Sequence, residues 1–164
     1  MRARPTHRLI GIVAAAALST GLLAGCGGGS SGGDASKTPA FNEADAQAQA
    51  KANWQKFFDP KETTDTRVAL IQGGEDLRQA IVLTAKNPLA SKATTTVTKV
   101  AVDPADHNKA TVTYNISVNG SNVVEGGTGE AVYENGTWKV STESFCGLAT
   151  AGAGAGVKVP GCEV

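Results

Sequence analysis

The chain is short of the residues on which most catalytic sites depend. Its 164 residues include two histidines, one methionine, three cysteines and eight aromatics. His7 falls in a segment that reads as a removable leader, which leaves His107 as the one histidine of the mature chain. A serine triad needs a base and a zinc site usually needs several His or Cys ligands, so neither template fits. No Cys-x-x-Cys spacing is present, which removes redox and metal-knuckle motifs. Charge of one sign is lacking too, with 15 basic and 15 acidic side chains. Setting aside the leader, which holds Arg2, Arg4 and Arg8 and no acid, leaves 12 basic against 15 acidic groups. Lys51, Lys56, Lys61, Arg67 and Arg78 are scattered among acids, so no basic groove for nucleic acid is expected. The longest apolar run, Leu9 to Leu23, is too short for a confident membrane span.

What is present begins with an export signal. Met1 to Arg8 is positively charged, Leu9 to Leu23 is apolar apart from Ser19 and Thr20, and small residues follow. The run ends Leu23-Ala24-Gly25-Cys26, which is similar to a bacterial lipobox. Small residues let an extended backbone enter a peptidase groove, and the thiol takes a diacylglyceryl group. Residues 1–25 are therefore expected to be a lipoprotein signal peptide and Cys26 the lipidated N-terminus. Two acyl chains, at about 0.8 kcal/mol per buried methylene, hold a protein on a membrane where one would let it go. The expected location is the extracytoplasmic face of the cell membrane. Gly27 to Pro39 (GGGSSGGDASKTP) has nothing to bury and no Gly-Lys-Ser/Thr ending, so residues 26–40 read as a flexible tether and not as a phosphate loop.

Residues 41–164 form the expected folded domain. Asn42 can cap a helix with Glu43 and Asp45 in its first turn. Ala46, Ala50, Trp54, Phe57 and Phe58 recur at helical spacing until Pro60. Thr64 or Asp65 can cap a second short helix carrying Val68, Ala69, Leu70 and Ile71, ended by Gly73-Gly74. Glu75 to Lys86 reads as a third, with Leu77, Ile81 and Leu83 to Ala85 inward. After Ser91 the period changes to two, predicting strands at Thr94–Val102 and Lys109–Val118. Asn119-Gly120 and Asn135-Gly136 are two-residue hairpin signals. Carried through both turns, the register places Tyr114, Ile116, Val118, Val123, Gly127, Gly129, Ala131, Tyr133, Trp138 and Val140 on one face. The expected fold is α+β: three N-terminal helices on a curved four-stranded antiparallel sheet, cone-like in the nuclear-transport-factor-like or cystatin-like manner, with Gly126, Gly127 and Gly129 marking a bulge or bend.

With Cys26 lipidated, Cys146 and Cys162 are an even pair in an oxidising setting. A disulfide between them closes a loop of roughly 15 residues, for which the chain-entropy model gives about 3 kcal/mol. Ala149 to Gly156 has no side chains to pack, so the bridge is expected to hold a loop. Asp103, Asp106 and Asn108 read as turn formers without the calcium-loop spacing, and His107 as a solvated loop residue. The same register sets Glu125 beside Tyr114 on the apolar face, where a carboxylate of raised pKa could act as a general base, unless the glycine bulge turns it to solvent. Trp54, Tyr114, Tyr133 and Trp138 either line a ligand pocket with Glu125 or form plain core. No metal or cofactor site is read from the sequence.

Four segments carry a resemblance: Trp54-Gln55-Lys56-Phe57-Phe58-Asp59, Val68 to Gly74 (VALIQGG), Gly129 to Ser141 (GEAVYENGTWKVS) and Phe145-Cys146-Gly147-Leu148. From about Phe41 to Ala149 the chain resembles the actinobacterial low-molecular-weight secreted antigen family of the mycobacterial antigen-twelve type. The resemblance implies a cone-like, exported, surface-associated domain with no catalytic residues to carry over. The expected function is a lipid-anchored, non-catalytic domain binding a small apolar ligand or an envelope protein. The alternatives are a passive antigen-like protein with a filled core and a cone-fold enzyme using Glu125.

Overall fold

The computed structural model describes residues 41–154 and 156–162. The predicted leader, Cys26 and the tether lie outside them. Helix α1 spans Glu43–Phe57, and Asn42 caps it by accepting from the backbone N–H groups of Ala44 and Asp45. Its buried residues are Ala46, Ala50, Trp54 and Phe57, one stripe at helical spacing. Helix α2 (Thr64–Ala69) starts one residue earlier than expected, because it is Thr63 whose hydroxyl accepts from Thr66 N–H at 3.1 Å. It also ends before the glycines. Leu70 and Ile71 leave the helix to join the edge of the sheet, where Val140 N–H donates to Leu70 O and Gln72 N–H to Val140 O, each at 2.9 Å. Helix α3 (Arg78–Ala85) begins three residues later than the sequence suggested, since Asp76 N–H and Leu77 N–H both turn back to Gly73 O. Leu83, expected inward, is 47% exposed, and Ala85 is exposed as well.

Four antiparallel strands follow in the order β1 (Ala93–Val102), β2 (Lys109–Val118), β3 (Ser121–Glu134) and β4 (Thr137–Val140). The sheet curls into a half-barrel, and α1 touches both β1 and β4 at its two edges. Asn119 and Asn135 have φ of 52°, and the glycines after them 81° and 79°, the paired positive values of type I′ hairpins. The α+β class and the curved four-stranded sheet stand as expected, with one further helix.

That helix, α4, runs from Thr142 to Ala153, through the segment expected to be a bridged loop. Ser141 caps it, accepting from Ser144 N–H at 3.1 Å, and Phe145 and Ala149 are its buried residues. Ala149 thus packs, contrary to expectation, because an alanine on a helix four residues after Phe145 needs no bulk to fill its share of the interface. The start of α4 is stitched to the sheet: Glu130 N–H donates to Ser144 Oγ at 2.7 Å, and Thr142 Oγ1 donates to Gln72 O at 2.9 Å. Cys146 and Cys162 are disulfide-bonded with Cα atoms 5.4 Å apart, so the bridge ties a helix to the tail that returns beside it.

Two bulges set the registers. On β1, Val97 pairs with Tyr114 but Lys99 with Thr113, leaving Thr98 as an extra residue whose hydroxyl donates to Thr113 O at 3.2 Å. This lets Val97, Val100 and Val102 all pack toward the core although strict alternation would separate them. On β3 the ladder carries two extra residues: Tyr114 pairs with Gly127, Ile116 with Val124 and Val118 with Ser121. Gly126, with φ of +63°, supplies the left-handed conformation the first of these irregularities needs. Val124 therefore takes the inward place expected for Val123, which is 59% exposed.

Candidate functional site

The same two residues move Glu125. The simple hairpin register put it opposite Tyr114, but Gly127 occupies that place, and Glu125 is exposed with its carboxylate accepting from Asn122 Nδ2 at 2.7 Å. Of the two alternatives for Glu125, the structure has the one in which the glycine bulge turns it to solvent. The four aromatics do not gather into one pocket either. Trp54 and Tyr114 lie together, ring centroids 5.7 Å apart, and Tyr133 and Trp138 form a second pair at 5.4 Å. Trp54, Trp138 and Tyr114 are 1%, 2% and 4% exposed, so they fill the cone. Tyr133 shares the face of its cross-strand partner Trp138 but is 40% exposed. The filling is tight: a methyl group on Gly129 would sit 2.6 Å from the Trp54 ring.

Tyr114 alone of these five reaches an open groove of about 530 Å³, between β2, β3 and α4, whose walls carry Glu130, Glu143 and Ser144. Burial pushes the Tyr114 phenol above its ordinary pKa. Ser144 is engaged with Glu130 N–H and with the Ser141 hydroxyl at 2.9 Å, and so joins the start of α4 to the sheet. His107 is exposed, its imidazole stacked on Phe41 with centroids 4.3 Å apart. Asp103 and Asp106 accept from the backbone N–H groups of Ala105 and Asn108, as turn formers do. Among the described residues no cluster of His, Cys, Asp and Glu could hold a metal, and no helix is long and apolar enough to cross a membrane.

A different place has the character of a ligand site. The C-terminal ends of α3 and α4 and the tail enclose a cleft of about 300 Å³. Leu83 and Thr84 come from α3, Leu148, Ala149 and Ala153 from α4, and Val157 to Pro160 from the tail. Leu83 and Val157 keep 47% and 52% of their surface exposed, large values for aliphatic groups sharing one concavity. Asn87 Nδ2 donates to Gly152 O at 3.5 Å across one end. The disulfide ties the tail to α4, and Gly161 lies close to Asp76 and Leu77. Sequence reading missed this site because its walls meet only in the folded chain. The available signal was the Val157-Lys158-Val159-Pro160 segment, an apolar alternation following glycines.

The described residues thus form a filled α+β half-barrel with an apolar cleft outside it. Residues 43–156 match the family model for the low molecular weight antigen MTB12, C-terminal domain, and the chain belongs to that family. The match includes α4 and most of the glycine-alanine segment, beyond the limit at Ala149 drawn from the sequence motifs. No curated protein matches the chain.

Proposed function

We propose that the chain is an exported, antigen-like protein held at the extracytoplasmic face of the cell membrane by a diacylglyceryl thioether on Cys26. Its folded domain binds a small apolar ligand through the cleft between α3, α4 and the tail, and does not catalyse a reaction. The observation that carries the binding reading is the cleft itself: a concavity of about 300 Å³ with exposed Leu83 and Val157 on its walls. That volume lies at the lower end of the range for small-molecule sites. The leader's charge order and the Leu23-to-Cys26 segment support the anchor, and a disulfide accords with an oxidising compartment. The filled interior around Trp54 and Trp138 favours a second reading, an antigen-like protein that meets partners only through its surface.

Native mass spectrometry of protein extracted from its own envelope separates the two. A retained apolar mass supports the cleft as a ligand site, and a bare protein that co-purifies with an envelope protein supports the second reading. For the anchor, Cys26→Ser is expected to release protein from membranes or to leave uncleaved precursor. A correctly processed mutant that stays on the membrane would contradict it.

A further inference from the structure

The cleft is selective in charge as well as apolar. Of its described lining residues, Lys158 is the single charged one, and none carries a carboxylate. Lys158 is exposed and makes no ion pair among the described residues. The remaining polar groups are already engaged. The Thr84 hydroxyl donates to Ala80 O at 2.9 Å, and Asn87 Oδ1 accepts from Leu89 N–H. Two helix C-termini point their carbonyls this way, which by itself would favour a cation. Several of those carbonyls have donors, however: Leu83 O accepts from Lys86 N–H, Thr84 O from Asn87 N–H, and Gly152 O from Asn87 Nδ2. The full charge of an ammonium group with no ion-pair partner among the described residues outweighs the screened remainder.

Size narrows the ligand further. A dry apolar cavity of about 150 Å³ accepts benzene. A cleft of about 300 Å³ therefore has room for roughly a dozen carbon atoms, enough for one alkyl chain and too little for two. Its walls are aliphatic, with no aromatic plane for a ring to stack on. Resting on the reading of this cleft as the binding site, we propose that its ligand is a single-chain carboxylate, a fatty acid of medium length. The chain lies among Leu83, Leu148, Ala153, Val157 and Val159, and the carboxylate pairs with Lys158 at the rim.

The test uses the mature chain carrying Cys26→Ser, with calorimetric titration of dodecanoate, dodecanol and dodecylamine below their aggregation limits. Dodecanoate is expected to bind at least tenfold more tightly than dodecanol, and dodecylamine most weakly. Lys158→Gln is expected to bring dodecanoate down to the dodecanol level, and Lys158→Arg to restore it. Ala153→Phe, which fills the cleft, is expected to abolish binding of all three, with its thermal melt checked for an intact fold. Equal binding of acid and alcohol, both lost in Ala153→Phe, overturns the carboxylate assignment and leaves the apolar cleft standing. Preference for the amine overturns it likewise. Binding that survives Ala153→Phe places the ligand elsewhere, and failure of all three probes to bind overturns the cleft reading together with the proposal.

Discussion

The interior under the sheet and the corner where α3, α4 and the tail meet are built on opposite plans. Under the sheet, Trp54, Phe57, Tyr114 and Trp138 pack against small residues placed to receive them, Gly129 and Ala131 among them. At the corner, alanines, glycines and short aliphatic groups surround a void, and a covalent bond stands where bulk is missing. Large side chains stabilise by removing surface from water, whereas a cross-link restricts the unfolded chain and leaves space in the folded one. A region held by a bond can keep a cavity that a region held by packing would have to close.

The sharpest way to break this contrast is Trp54→Ala, which should cost about 3–5 kcal/mol in denaturant unfolding. A smaller loss would mean that the interior relaxes around the gap. Next comes the bridge. Cys162→Ser with Cys146→Ser should cost about 3 kcal/mol, and hydrogen exchange should speed up in the second half of α4 and the tail while the α1 amides keep their protection. Loss spread evenly over the sheet would contradict the division. Two glycines sharpen the comparison. Gly129→Ala forces a methyl group onto the buried Trp54 ring and should destabilise by about 1–3 kcal/mol. Gly147→Ala, on the open face of α4 with nothing within 4 Å, should stabilise by roughly 0.5–1 kcal/mol. The smallest effect concerns pH. Burial raises the Tyr114 pKa above its ordinary value near 10, so the stability tied to its neutral form is complete below about pH 10. That stability is lost as pH rises through the raised value. Tyr114→Phe should therefore unfold with a shallower dependence on pH in the alkaline range than the parent chain.

Much of the sheet was legible in the sequence. The alternation from Ala110 to Val118 and the two Asn-Gly pairs fix β2 and both turns, because period two and positive φ are local properties. Helix α1 was legible for the same reason, through Asn42 and a stripe of aromatics. The extra residues of β1 and β3 were not, since a bulge is decided by which side chains must share a face across strands. Gly126 announced an irregularity without its extent, and so Glu125 was assigned the place that Gly127 holds. Helix α4 was hidden by its composition. Gly147, Gly152 and three alanines weaken any periodic signal, although Ser141 ahead of Glu143 and the Phe145-to-Ala149 spacing were there to be read. The cleft was beyond reach, because it joins residues from 83 to 160 that no local pattern relates.

The surplus on β3 has one more consequence. Between Gly127 and Ser121 the strand takes six steps where its partner, from Tyr114 to Val118, takes four, so it carries slack in the manner of a pleated hem. Withdrawing Gly126 would take up one of the two extra steps and leave the other, between Val124 and Asn122, in place. Slack and side-chain alignment are thus set by the same extra residues in this hairpin, and changing the length of one strand would retune both.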